Sequence, residues 1–326
     1  TARNTLEQVL HLAHSKQEGR ATGNEACRNC GSHRVITVDR AGQVSPFFAA
    51  RVFGLKSTSP ADLFLDAHLC IDCLFLTHAA KLPEESIAKL YEDYRETSYN
   101  SERIALEPGY SLIAEQIGKP DEMRRRTADL DEYIEVLANK DTFMPGNIGS
   151  ALDWGGSTGD YMPTTITKTC RDVHIFDITH SETSRSDICR GPNQLIRTNN
   201  ASQGKIYDYI QFCHVLEHLQ EPLVTVQQIA KRNLKEGGYI YIEVPVEEIM
   251  SEFALSLMLT PETSYVVHEH INKYCLRSIK ALVESTECLS VLDLREDTTN
   301  VGWALPRFND DGNVRIIRCL TQKRRD

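Results

Sequence analysis

Four cysteines stand in two pairs of equal spacing, Cys27-Arg28-Asn29-Cys30 and Cys70-Ile71-Asp72-Cys73, with 39 residues between the pairs. Two thiolates three positions apart on a tight knuckle both reach one cation at about 2.3 Å, and a second knuckle completes a tetrahedron. Gly31 gives the first knuckle the permissive backbone that such a turn needs. Four thiolates close the coordination sphere, so Cys27, Cys30, Cys70 and Cys73 read as ligands of a structural Zn2+, with His33, His68 and Asp72 near enough to support them. Unligated core cysteines or a redox pair are the other readings; a redox pair is expected between a strand and a helix, where neither pair falls.

A second chemical segment is Ala151-Leu152-Asp153-Trp154-Gly155-Gly156-Ser157-Thr158-Gly159-Asp160. An apolar strand ends in an acid, and small residues then turn the chain toward a helix. Glycines allow close approach of a ligand, and helix N-terminal amides can meet an anionic group. The next apolar run, Val173-His174-Ile175-Phe176, ends in Asp177, 24 residues after Asp153. An acid there can accept both hydroxyls of a ribose and excludes a 2′-phosphate. Ser157 and Asp160 occupy the later glycine positions of the dinucleotide fingerprint, so the loop is not that motif. Mere tight turns are the structural alternative.

Imidazoles and carboxylates gather at two further places, His214-Val215-Leu216-Glu217-His218 and Val267-His268-Glu269-His270-Ile271-Asn272-Lys273-Tyr274. A positioned His or Glu acting as general base adds roughly 10²–10⁴-fold to a transfer reaction. The first cluster also spells H-x-x-E-H, in which His214 and His218 would bind a catalytic zinc; otherwise Glu217 and His218 wall a site. The second offers base or substrate-binding groups, or structural hydrogen bonds. Tyr91, Tyr94, Tyr99 and Tyr110 read as helix packing, with Tyr94 and Tyr99 as secondary site candidates.

These groups need elements to hold them. Residues 1–20 suggest a short amphipathic helix, and 21–80 are rich in Gly, Cys and short β-like runs with too little apolar material for an independent core. Residues 83–140 read as helices. From 147 the texture alternates, with strand-like runs at Ser150–Trp154, Val173–Ile178, Gln194–Arg197, Tyr209–Cys213, Tyr239–Val244, Leu289–Leu294 and Val314–Leu320, and a turn at Asp311-Gly312 before the last. The expected fold is α/β: a Rossmann-like seven-stranded mostly parallel sheet with helices on both faces, plus a small N-terminal zinc-binding domain and a helical linker. The expected boundaries are 1–82, 83–146 and 147–326.

The 326 residues carry a net charge of −10, and the basic clusters Arg124-Arg125-Arg126 and Lys323-Arg324-Arg325 are short. Each reads as a solvated face or tail, so nucleic acid is not the expected partner, although charge alone leaves an RNA acceptor open. No apolar run approaches the roughly 18 residues needed to span a bilayer, and the first residues lack a signal-peptide core. Ten cysteines with six of them scattered singly fit reduced thiols and a cytoplasmic address.

The segment from Asp153 to Gly159 resembles the D-x-G-x-G-x-G first motif of class I S-adenosylmethionine-dependent methyltransferases, with Ser157 in the middle glycine position. Asp177 matches the second-strand acid. Tyr207–His218 resembles the D-x-I…H-x-L-E-H junction, and Leu234–Pro245 resembles L-K-P-G-G-x-L-x-x-x-x-P, all in family order across residues 147–320. The resemblance implies that Asp153, Gly155, Gly156, Gly159 and Asp177 bind S-adenosylmethionine, with Cys213 and His214 lining its sulfonium side. Val267–Tyr274 resembles the Y-H-E-H-x-x-Y-F segment of zinc-containing sugar C-methyltransferases, whose Tyr, Glu and His handle protons. Glu269 and His270 match; Val267 stands at the Tyr position, Tyr265 is a nearby substitute, and the chain ends at Asp326, short of the C-terminal domain expected there.

The resulting expectation is a methyltransferase acting on a small molecule, a sugar or sugar-conjugate hydroxyl. His270 is the base, Glu269 its partner and His268 a binding residue, with Glu217, His218, Tyr265 and Asn272 toward the substrate. The alternatives are C-methylation of a nucleotide-linked sugar, and a non-catalytic interaction protein on a methyltransferase-like fold that docks through its zinc module.

Overall fold

The computed structural model describes residues 25–55, 63–157, 159–177, 194–198, 204–250, 265–302 and 312–325. The helix expected over 1–20, Thr158 of the glycine loop, Ile178 and Asp311 lie outside them. The chain divides into two compact units that interleave along the sequence: one comprises Thr1–Gly109, Leu216–Val224 and Val246–Ser285, the other Tyr110–Val215, Thr225–Pro245 and Thr286–Asp326. This differs from three consecutive segments. Residues 246–285, expected with the later sheet, join the cysteine-bearing unit because their strands hydrogen-bond there.

In that unit, β1 (Val35–Val44), β2 (Phe64–Cys70) and β3 (Leu76–His78) form an antiparallel meander. On one side β9 (Tyr265–Val267) runs parallel to β1, with Gly42 opposite Tyr265 and Val44 opposite Val267. On the other, β10 (Asn272–Lys273) pairs antiparallel with β3, which makes a five-stranded mixed sheet. Helix α1 (Pro46–Phe53) follows β1 directly: the Ser45 hydroxyl accepts from the Phe48 amide at 3.3 Å, Pro46 fits the first turn, and Gly54 ends it at φ 68°. Its Phe47, Phe48, Ala49 and Val52 are buried with Ile36, Leu69 and Leu76. Helices α2 (Glu84–Tyr91) and α3 (Thr97–Leu106) add Leu90, Tyr91 and Tyr99, and β9 adds Val267. This core also takes in Met250, Tyr265, Val267 and Ile271, from segments more than 150 residues downstream.

The other unit holds a seven-stranded mixed sheet in the order β11 (Leu289–Asn300), β12 (Asn313–Lys323), β8 (Leu234–Pro245), β7 (Tyr207–Cys213), β4 (Ser150–Trp154), β5 (Asp172–Phe176), β6 (Gln194–Thr198). The five strands from β8 to β6 run parallel, while β12 is antiparallel to both β8 and β11. Helix α4 (Pro120–Asn139) buries Leu130, Tyr133, Ile134 and Leu137, one face at helical spacing, in a core shared with Ala151, Tyr209, Tyr241 and Leu320. The chain steps from β4 outward to β5 and β6, then returns past β4 to β7. This reversal is a topological switch point, where parallel α/β sheets bind ligands beyond the strands' carboxyl ends. Asp153, Asp177 and Cys213 all stand at those ends. No helix among the described residues is long and apolar enough to cross a membrane.

The pairing of β1 with β9 depends on a missing side chain. A Cβ at Gly42 would lie 2.4 Å from Val267 Cγ2 and 3.3 Å from Tyr265 Cζ. Val267 is stiff at χ1 and cannot swing aside. Gly42→Ala should therefore destabilise the protein by about 1–3 kcal/mol, as overpacking does. Denaturant midpoints check this, with partial recovery expected in Gly42→Ala/Val267→Ala; an unchanged midpoint for the single variant contradicts the pairing.

Candidate functional site

The two C-x-x-C segments fold as matching knuckles. The Gly31 amide donates to the Cys27 carbonyl and the Leu74 amide to the Cys70 carbonyl, each at 2.8 Å, with φ of 75° at Gly31 and 58° at Leu74. A non-glycine residue pays about 1–2 kcal/mol for that conformation, so the second knuckle is held by its surroundings. Cys27 Sγ lies 3.7 Å from Cys73 Sγ, and Cys30 Sγ 3.7 Å from Cys70 Sγ. A disulfide would bring sulfurs to about 2.05 Å. Thiolates about 2.3 Å from one tetrahedral ion sit about 3.8 Å apart, and all four sulfurs lie within 4.8 Å of one another. The cage fits zinc. Buried Asn29 braces it, with its amide 3.8 Å from Cys73 Sγ and 2.8 Å from the Ser278 carbonyl. Of the expected supporting residues, Asp72 accepts from Ser32 and Arg34 at 2.5 Å each, and His68 lies 3.9 Å from Glu25.

In the glycine loop, Gly155 and Gly159 adopt φ of 76° and 81°, and Ser157 takes the middle glycine position at φ 46°. Gly155 and Gly156 each have a specific neighbour. A Cβ at Gly156 would lie 2.3 Å from Asp153 Oδ2, and one at Gly155 would lie 2.6 Å from Val215 Cγ2. The Gly155 and Gly156 amides donate to the Phe176 carbonyl at 2.7 and 3.3 Å, tying the loop to β5. Only Thr164–Thr167 form an α-helix after it, because Pro163 has no N–H to extend the helix upstream. The Ser157 amide donates to Asp177 Oδ2 at 2.7 Å, which joins the two acids' segments.

Asp153 is fully buried. Its Oδ1 accepts from Gln211 Nε2 at 2.9 Å, but its Oδ2 has no donor among the described residues. Burial pushes its pKa up to about 7. A buried carboxyl oxygen without a donor is costly, and the ammonium group of an amino-acid ligand would supply one. The loop therefore fits S-adenosylmethionine.

Cys213 is buried at the end of β7, and burial pushes its thiol pKa up. His214 follows at φ 53°, with its Nε2 3.1 Å from Glu243 Oε1 and the Arg126 guanidinium against the same nitrogen. Glu243 also accepts from Tyr241 at 2.6 Å and Arg318 at 3.3 Å. Burial alone would raise its pKa, but His214, Arg318 and Arg126 outweigh burial and hold the carboxyl well below the usual range. His214 is thus committed to a buried ion network. With positive φ at His214 and only a 3-10 turn over Leu216–His218, the H-x-x-E-H segment does not form the helical turn a zinc peptidase needs. Among the described residues His214 joins no group with metal-ligand spacing.

The other imidazoles belong to the cysteine-bearing unit. Arg103 of α3 grips Glu269 with two bonds, Nη1 to Oε1 at 2.7 Å and Nη2 to Oε2 at 2.9 Å. Burial opposes the Glu269 charge, yet His268 and Arg103 keep its pKa well below normal. His268 Nδ1 lies 3.3 Å from Glu269 Oε2. Burial and Lys273 would lower the His268 pKa, but Glu247 and Glu269 raise it overall. The carboxylate hydrogen-bonded to His270 is Glu247, 3.0 Å from Nδ1, not the expected Glu269. Tyr91 Oη donates to the Glu269 carbonyl at 2.7 Å and accepts from His218 Nδ1 at 2.7 Å. Burial lowers the His218 pKa to about 4, so its ring is neutral at pH 7.

The expected substrate-facing residues separate. His218 and His270 rings lie 5.0 Å apart, and Glu217 lies within metal-ligand spacing of both. Asn272 is instead a brace: it donates to the Leu216 and Leu219 carbonyls at 2.8 and 2.6 Å and accepts from Thr77 at 2.8 Å, leaving no donor for a substrate. Tyr265 is buried over Gly42. Tyr99 packs on Phe47 at 4.8 Å and on Tyr94 at 5.3 Å, as helix packing predicts. Sequence reasoning missed Glu247, Lys273, Arg103 and Tyr91 as a connected set, because tertiary pairing and not local spacing brings them together.

Residues 122–288, a little over half of the chain, match the methyltransferase domain family. No curated protein matches the sequence. Among solved structures, a SAM-dependent methyltransferase from Methanosarcina mazei is similar at 13% identity over 58% of this chain and 98% of that one, with a TM-score of 0.40. The N-methyltransferase NodS from Bradyrhizobium japonicum, in complex with S-adenosyl-L-homocysteine, is similar at 12% identity over 66% and 98%, with a TM-score of 0.41. At such scores the assignment rests on the domain match and not on these neighbours. The chain belongs to the methyltransferase domain family.

Proposed function

We propose that the protein methylates a hydroxyl of a small polar acceptor, a sugar or sugar conjugate, with His270 as the base. The observation that carries this reading is the cluster of imidazoles and carboxylates around His268–His270, where His270 has a hydrogen-bonded carboxylate behind its ring. Alternating donors and acceptors suit a polyol better than an apolar acceptor. Val267 is fully buried in β9, so no phenol is supplied at the position that carries a Tyr in the sugar C-methyltransferases. This favours the hydroxyl over a carbon acid.

Asp153 and Asp177 would hold the donor, with the turn through Gly155, Gly156 and Gly159 shaping its place. Bound there, S-adenosylmethionine supplies an electrophilic methyl on a sulfonium centre and departs as a neutral thioether. His270 takes the acceptor proton, His268 orients the acceptor, and Glu269 serves through its grip on Arg103. The orphaned Asp153 oxygen also speaks against the non-catalytic interaction reading, because a disused pocket has no need of it. The cysteine cage would hold a structural Zn2+, and unbridged thiols so close together suit the reducing cytoplasm.

Three outcomes are expected. Cys30→Ser should lose one zinc per chain and much of its solubility; full metal content by mass spectrometry counts against the cage. Because Asp153 must be ionised to pair with a cationic ligand, calorimetric affinity for S-adenosylmethionine should rise as pH increases through about 7. Below that pH it should weaken by up to about tenfold per unit, and Asp153→Asn should abolish the dependence; the opposite slope refutes the pairing. His270→Ala should keep donor affinity while methyl transfer to a sugar panel falls about 10²–10⁴-fold. Near-normal turnover would reject His270 as base, and the product linkage by NMR separates O- from C-methylation.

A further inference from the structure

We infer that Glu247 is the positioning residue for His270: its carboxylate fixes the imidazole with the proton on Nδ1 and the lone pair on Nε2. The inference rests on the reading of His270 as base. Glu247 stands two residues beyond β8, and its Oε1 lies 3.0 Å from His270 Nδ1 and 2.7 Å from Lys273 Nζ. A carboxylate only accepts, so the bridging proton belongs to the ring nitrogen. A neutral imidazole protonated at Nδ1 presents an unprotonated Nε2, the form a general base needs.

Lys273 gives the arrangement its rigidity. Its side chain is completely buried in β10, and the same ammonium donates to the His270 carbonyl at 2.9 Å. One cation therefore anchors both the backbone of His270 and the carboxylate facing its ring. Glu247, His268 and His270 also have the spacing of a metal site. Lys273 Nζ stands 2.7 Å from Glu247 and 3.5 Å from His268 Nε2, so the positive charge a metal would bring is already supplied by the chain. The group is a histidine–carboxylate pair with a built-in counterion.

His268 lies 4.7 Å from His270 between ring centroids and His218 5.0 Å. Glu217 is grouped with the His218 and His270 rings, and Glu269 is tied to Arg103. Of the described carboxylates, only Glu247 meets His270 Nδ1. As base, His270 forms a new N–H bond at Nε2 while the acceptor O–H bond breaks, and Glu247 then faces an imidazolium whose charge it stabilises.

The test uses the full zinc-loaded chain with ¹³C,¹⁵N-labelled histidine, its His270 signals identified by their loss in His270→Gln. The wild-type ring should be the Nδ1–H tautomer, a measurement that needs no variant to fold. Glu247→Ala removes the acceptor facing Nδ1, and the His270 ring should then show both neutral tautomers instead of one. An Nε2–H tautomer in the wild type, or an unchanged Nδ1–H ring in a folded Glu247→Ala protein, overturns the inference. The two readings fail separately: an Nδ1–H ring with near-normal His270→Ala turnover removes the base and keeps the pair. Lost turnover with an Nε2–H ring keeps the base and removes the pair.

Discussion

The parallel ladder between β1 and β9 decides where the imidazoles go. It draws residues from beyond position 264 into a sheet begun at Val35, and it does so across a glycine with room for nothing larger. Once β9 is seated, the short excursion through His268–His270 and the return of β10 onto β3 follow within a few residues. Three residues of pairing on one edge and two on the other thus pin the histidine segment at both ends. Asn272 reinforces this by tying the Leu216–Leu219 turn, and with it His218, to the same place.

Both units place charge where burial opposes it. Glu269 with Arg103, Glu247 with Lys273, and Glu243 with Arg126 and Arg318 are all held ionised by partners that outweigh the loss of water. Such pairs seldom raise stability above that of apolar packing, and breaking one leaves an expensive lone charge. Their value lies in fixing geometry. Asp153 is the exception, since its one bond from Gln211 does not offset burial and its pKa rises to about 7.

Much of this could be read from residue order. The runs at Ser150–Trp154, Tyr209–Cys213 and Tyr239–Val244 lie in strands, since strand-forming residues and turn residues alternate clearly there. The cysteine spacing pointed to one cage, because knuckle geometry is local. Partners chosen by tertiary pairing were not legible. Nothing near Glu269 in sequence announces Arg103, 166 residues away, and Glu247 lies 23 residues from His270 across a segment with no periodic signal. Asn272 looked like a substrate ligand because its neighbours are polar, yet its amide is consumed by backbone carbonyls. The interleaving of the two units escaped for the same reason: β9 and β10 are too short to reveal which sheet they will join.

That interleaving bears on biosynthesis. The first hundred residues emerge from the ribosome with α1 and the early strands made, but the chain that covers them is translated far later, through Ser285. At about 5–20 residues per second, their apolar surface waits on the order of ten seconds or more before its own core can close. A cation captured early by the two knuckles would hold the nascent meander together through that interval, and a chaperone would have most to do there.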